Sequence, residues 1–145
     1  MKTVKGLLQK KPAHILSVTP DTPASDAIEL MTEADVGALL VVENGRLVGI
    51  VSERDFTREL FHHNRSPEST PVGEVMTRRV LYVHPENTLD ECMALMTEMR
   101  LRHLPVLEGD RVLGMISMRD LVQEVIADKE FMIEQLTKYI TDQRA

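Results

Sequence analysis

A serine, an arginine and an aspartate stand together twice in this sequence, in GIVSERD at 49–55 and in GMISMRD at 114–120. Each time the order is glycine, two apolar residues, serine, any residue, arginine, aspartate. One chemistry this allows is structural. Ser-x-x-Asp ahead of an apolar run is a capping box, in which Ser52 or Ser117 closes the start of a helix and Asp55 or Asp120 returns the hydrogen bond. Capping requires neither Arg54 and Arg119 nor the glycine five residues before each arginine, which lets another group approach the backbone. A helix N-terminus beside a serine hydroxyl and an arginine fork suits a phosphate; the helix end alone is worth ~0.3 to 1 kcal/mol when exposed and up to ~2 when partly buried. The aspartate repels phosphate, but it accepts well from the vicinal hydroxyls of a ribose, as an acidic residue does in dinucleotide sites. Phosphate donors beside a diol acceptor point to a nucleotide.

A duplication places these corners. Sliding the chain by 65 positions lays 18–60 on 83–125 without a gap, and 15 of the 43 pairs are identical, against roughly three from average usage. Both copies read β-α-β-β-α. Residues 15–18 and 80–83 are short β-rich runs, stopped two residues later by Pro20 and Pro85. Thr22 and Asn87 are N-cap candidates for the helices that follow. Their apolar stripes, Ala24, Ala27, Ile28, Met31 and Leu89, Cys92, Met93, Met96, have the spacing of one buried helical face. Strands at 38–43 and 47–52, and at 103–108 and 112–117, are joined by Asn44-Gly45 or Gly109-Asp110 and form antiparallel hairpins. A second helix opens at Glu53 or Met118.

One copy of about 55 residues is too small to close a core alone. The expected fold class is therefore α/β (α+β): two copies, 7–60 and 72–126, packed sheet to sheet about a pseudo-twofold axis and joined by a polar linker at 61–71. Helical spacing continues through Leu121, Val122, Val125, Met132, Leu136 and Ile140. It predicts one helix to about Thr141, on the order of 30 Å long, with a C-terminal extension over 127–145 that either folds back on its own domain or meets a second copy.

Composition excludes several classes of function. The 145 residues are 43% apolar and 28% charged, a globular balance, and the net charge of −6 repels nucleic acid and anionic lipid. The single Cys92 excludes an intramolecular disulfide framework and any CxxC site, which fits a reducing compartment. No apolar run approaches membrane length and no signal peptide opens the chain, so the expectation is a cytoplasmic protein. Aromatic residues are 3% with no Trp, so a nucleobase would lie between aliphatic side chains. His62 and His63 adjoin in the linker without a third metal ligand at a fitting spacing. Glu29, Glu33, Glu98 and Glu124 read as solvated helix faces, and the Met-rich stretch at 93–99 reads as core. No nucleophile elbow, Walker loop or zinc helix motif occurs.

The whole pattern over 7–126 resembles a pair of cystathionine-β-synthase (CBS) domains, or Bateman module. The likeness rests on the duplicated β-α-β-β-α order, on LRHLPVLEGDRVLGMISMRDLV in the second copy, and on ALLVVENGRLVGIVSERDFTREL in the first. It implies a non-enzymatic regulatory module that needs no catalytic cofactor. Adenosine-containing ligands, AMP, ADP, ATP, S-adenosylmethionine or NAD(H), would bind between the repeats and carry a signal to an unidentified regulated protein. Carried over residue by residue, Ser117 and Asp120, and Ser52 and Asp55, would contact phosphate and ribose, with Arg119 and Arg54 beside them. Adenine would lie against Thr77, Arg79, Val80, Arg102, His103 and Pro105 in the second copy, and against Pro12, His14, Ile15, Gly37, Ala38 and Leu40 in the first.

On that grouping the second site has more donors and binds more tightly, since Pro12, Gly37 and Leu40 stand where it has Thr77, Arg102 and Pro105. The expected partners are an adenine nucleotide and a second copy in a homodimer, with no nucleic acid and no membrane. Two rival readings are a structural interaction module whose motif only caps helices, and a nucleotide-hydrolysing enzyme using His103 with a nearby carboxylate.

Overall fold

The computed structural model describes residues 2–10 and 15–144. Helix α1 (Val4–Lys10) precedes the first copy, which consists of β1 (Ser17–Val18), α2 (Ala24–Ala34), β2 (Ala38–Glu43), β3 (Arg46–Ser52) and α3 (Glu53–Phe56). After its single α turn, α3 widens into a π turn at Thr57–His62. A 3₁₀ turn at Val72–Glu74 leads to the second copy: α4 (Leu89–Met99), β4 (His103–Glu108), β5 (Arg111–Ser117) and α5 (Met118–Arg144). The expected pair of α+β copies is the fold. Both hairpins turn in two residues, Asn44 and Gly45 both having positive φ and Gly109 a φ of +62°. Each carries a bulge at the same place, after Val41 and after Val106.

The second copy departs from expectation at its start. Residues 80–82 form no strand, and Val83 alone bridges to Val106 in parallel. In the first copy the amide of Leu40 donates to the carbonyl of Leu16 at 3.3 Å, and β1 pairs there through Ser17 and Leu40. The matching residue in β4 is Pro105, which has no N–H to give. The ladder therefore starts one residue later, with Val83 donating to Pro105 O and accepting from Leu107 N.

Both helix caps lie one residue beyond the expected ones. Thr88, not Asn87, caps α4, in a capping box with Glu91, while Asn87 Oδ1 accepts from the amide of His84 at 2.7 Å. The residue at the start of α2 is Pro23, which offers no side-chain acceptor, and Thr22 turns back to the amide of Thr19. Linker carbonyls cap α2 instead: Thr70 O accepts from Ala24 N at 2.8 Å and Pro67 O from Ser25 N at 3.0 Å.

Each core is completed by the segment that leads, in sequence, into the other copy. Val4 and Leu7 of α1 pack with Cys92, Met96, Leu104, Ile116 and Leu121 of the second copy. Val72, Val75 and Met76, just after the linker, pack with Ala27, Met31, Leu39, Val51 and Phe56 of the first. Full burial of one such side chain stabilises by ~1.5 to 3 kcal/mol, so each arm is firmly held. Backbone bonds reinforce the exchange, from Val4 N to Asn87 O at 2.9 Å and from Val72 N to Thr22 O at 2.8 Å. Cys92 sits inside the second core, where burial pushes its thiol up to about 11.

At 27 residues and ~1.5 Å per residue, α5 spans roughly 40 Å. It does not fold back on its own domain. Val122, Ile126, Phe131, Met132, Ile133, Leu136, Tyr139 and Ile140 are 45% to 63% exposed. Glu124 is not on a solvated face: its side chain is 12% exposed and pairs with Lys2 at 2.6 Å and Lys10 at 2.8 Å. In the Met-rich stretch Met96 is core but Met99 is exposed.

Candidate functional site

Both serine–aspartate corners are formed as capping boxes. Ser52 N donates to Asp55 Oδ2 at 2.9 Å and Asp55 N to Ser52 Oγ at 3.4 Å; at Ser117 and Asp120 the same two bonds measure 2.8 and 3.1 Å. The Asp55 carboxylate takes two more bonds. Ser52 Oγ donates to Asp55 Oδ2 at 3.1 Å and Arg58 donates to Oδ1, also at 3.1 Å. Asp55 is buried yet keeps one acceptor position on Oδ1, since a carboxylate offers about four lone-pair sites. The residue matching Arg58 in the second copy is Gln123.

The motif glycine answers to the crossed arms. A Cβ on Gly49 would stand 2.5 Å from the sulfur of Met76 and 3.0 Å from the carbonyl of Thr77, whose backbone pairs with Ile50. At Gly114 the approach is looser, with the nearest atom a Leu8 methyl at 3.2 Å. These glycines admit the neighbouring segment of the protein itself.

The crossing also redistributes the residues expected at the two sites. One cleft, of about 390 Å³, joins Ser52, Arg54 and Asp55 to Thr77 and Arg79, and its far wall is Arg102 and His103. Gly37 and Ala38 also line it. The other, of about 420 Å³, joins Ser117, Arg119 and Asp120 to Gly37 and again to Arg102 and His103. Both volumes fall in the usual range for small-molecule sites. Thr77 and Arg79 thus line the cleft of the first motif, not of the second with which their copy number grouped them, because residues 72–77 cross to β3. Arg102 and His103 border both clefts. Val80, Pro105, Ile15 and Leu40 are not among the described lining residues; Pro105 and Leu40 are buried in their strands. Pro12 and His14 lie outside the described residues.

Two lining residues of opposite charge escaped the sequence reading. Arg100 enters the first cleft and Asp35 the second. They occupy the same place in the duplication, each ending the first long helix of its copy with left-handed backbone, at φ 56° and 54°. The signal was available, since an αL cap is a fixed point of the repeat, but neither residue belongs to a motif.

A family model for the CBS domain matches residues 4–62 and 72–127. The chain belongs to the CBS domain family. This CBS pair is 39% identical over 127 residues to a mitochondrial CBS domain-containing protein of Arabidopsis thaliana, covering 84% of the chain and 62% of that relative, so it spans under two thirds of the relative's length. Among solved structures, a CBS-domain protein from Burkholderia ambifaria is 50% identical with a TM-score of 0.85, over 88% of this chain and 96% of that one. A CBS domain pair solved in complex with 5′-methylthioadenosine and S-adenosyl-L-methionine shares the fold at 23% identity and a TM-score of 0.76, over 89% of this chain and 98% of that one.

CBS pairs are regulatory modules, and the remaining surface of this one is described by its charges and grooves. Among the described residues, no three His, Cys, Asp or Glu side chains converge as a metal ion requires, and no helix is long and apolar enough to cross a membrane. A further groove on the helical side of the first copy, about 650 Å³, is walled by Ile28, Met31, Phe56, Leu60 and Phe61 and holds neither the serine nor the aspartate of the motif.

Proposed function

We propose that this CBS pair is a non-catalytic sensor of adenosine-containing ligands, AMP, ADP, ATP, NAD(H) or S-adenosylmethionine, bound in the two clefts. Asp55 and Asp120 accept from ribose hydroxyls. Ser52 and Ser117, with Arg54 and Arg119, donate to the phosphate side. Thr77 and the His103 edge border the base in the first cleft, which on this assignment is the better supplied with donors. The observation that carries the reading is the meeting, in one cleft, of a serine–arginine–aspartate corner from one copy with basic residues from the other. A ligand there touches both copies and shifts their arrangement by as much as its affinity differs between arrangements. That shift is what a regulated partner protein reads. The ligand complex of the more distant CBS pair is in keeping with an adenosine ligand.

Calorimetry of the full chain with AMP, ATP, NADH and S-adenosylmethionine tests the proposal. Binding in the micromolar to sub-millimolar range, on the order of −5 to −8 kcal/mol, supports it. Absence of heat and of any thermal shift with all four rejects it in favour of a structural module, for which the corners serve only as caps.

We further propose that the working form is a homodimer joined along α5. Ile126, Ile133 and Ile140 recur every seven residues, as do Val122, Lys129 and Leu136. Interleaved, they make the a and d seam of a two-helix coil, with Lys129 as its single polar position. The same patch on two copies can cover itself about a twofold axis. Sedimentation of Leu136→Glu as a monomer against a dimeric parent supports this; an unchanged mass for the two rejects it. The buried thiol of Cys92 suits a reducing compartment such as the cytoplasm.

A further inference from the structure

We infer that the cleft at Ser52 and Asp55 is selective for a ligand with two or more consecutive phosphates, and that Arg100 is its selecting residue. The inference rests on the adenosine reading above and adds the charge class of the ligand at each site.

The ground is a local inversion of charge. The chain carries −6 overall, yet four of its eleven arginines, Arg54, Arg79, Arg100 and Arg102, line this one cleft. Only two carboxylates face them, Glu53 and Asp55, and Asp55 is already paired with Arg58. None of the four guanidiniums has a hydrogen-bond or ion-pair partner among the described residues. Uncompensated guanidiniums on converging walls repel one another, and a polyanion is the ligand that relieves them. Arginine forks match phosphate oxygens in pairs, and one phosphate does not occupy four of them.

The second cleft is the internal control. Among the described residues it is lined by two arginines, Arg102 and Arg119, and two carboxylates, Asp35 and Asp120. Its carboxylate at the helix cap stands where the first cleft has Arg100. Arg100 also holds left-handed backbone, at φ 56°, where glycine would avoid the crowding of a Cβ. Aspartate tolerates that backbone, as Asp35 itself does, so the two residues can be exchanged without a change of fold.

The experiment is titration calorimetry of the full chain, its Arg100→Asp, Arg100→Lys and Asp35→Arg variants, with ATP, AMP, inorganic tripolyphosphate and orthophosphate, thermal melts confirming that each variant is folded. The parent should bind ATP at least about tenfold more tightly than AMP, the value of one charge-assisted contact. Arg100→Asp should remove that preference while leaving AMP within about threefold, Arg100→Lys should keep most of it, and Asp35→Arg should add a second tight ATP site. Equal affinities for ATP and AMP in the parent, or equal loss of both in Arg100→Asp, overturn the inference while the adenosine reading stands. Should no adenylate bind but tripolyphosphate bind in an Arg100-dependent way, the adenosine reading falls and the polyphosphate selectivity holds. Binding of neither class removes both.

Discussion

Beside Asp55 the cleft receives Arg100, and beside Asp120 it receives Asp35, although the two residues end equivalent helices with the same left-handed turn. The duplicated backbone delivers a side chain to the same place in each copy, and the identity of that side chain decides the charge of the cleft. Both residues are exposed, so packing does not constrain the choice. The serine and aspartate of each corner are held differently, being tied into capping boxes that the helices need. What the copies share is scaffold, and what they do not share is the charge that lines the cleft.

The largest test of this contrast concerns the crossed arms. Gly49→Ala pushes a methyl into the Met76 sulfur and the Thr77 backbone, whereas Gly114→Ala meets only the terminal methyl of the Leu8 side chain. Urea denaturation should show about 2 to 3 kcal/mol lost at Gly49 and under about 1 at Gly114. Equal losses would mean that the arms hold the two copies alike.

Next come the corners themselves. Asp55→Ala and Asp120→Ala should each cost about 1 kcal/mol through the lost box and weaken nucleotide binding at their own cleft about tenfold, seen by calorimetry. Loss of stability with affinities unchanged would reduce the corners to caps. A smaller effect separates the two long helices: Thr88→Ala should lower stability by about 1 kcal/mol and Thr22→Ala by only a few tenths, because only Thr88 caps a helix with its side chain.

The smallest effect is one of pH. Glu59 and Glu124 match in the duplication. His63, then Arg58, hold the first below the usual carboxylate range, while Lys10 and Lys2 do so for the second. A carboxylate with a lowered folded pKa contributes its full stability above its unfolded value, about 4.3, and loses it as pH falls from there through the folded value. Melting points measured from about pH 5 down to about pH 3 should therefore fall, and Glu124→Gln should flatten that slope in the second copy as Glu59→Gln does in the first. A slope identical to the parent's in both variants would show that neither pair matters.

Much of this fold was legible in the residues. The repeat, both hairpins, the apolar stripes of α2 and α4, and the long last helix all follow from spacing, because short-range periodicity is what forms them. The short first strand of the second copy was not, since its absence depends on a proline in a partner strand 23 residues further on, Pro105 opposite Tyr82. The two corners were readable as motifs. Their company was not: grouping Thr77 and Arg79 with Ser117 assumed that each copy builds its own site, and no local pattern reveals that residues 72–77 pair with β3. Arg100 and Asp35 were overlooked because their significance lies in geometry at a helix end, not in sequence context.

The traded arms carry one last implication for the linker. A cut between Asn64 and Ser66 would leave two pieces, each lacking the strip of chain that fills its interior and each carrying the strip that fills its neighbour's. Neither piece should hold its shape alone, and mixing them should restore both at once, as interlocked hooks close only together.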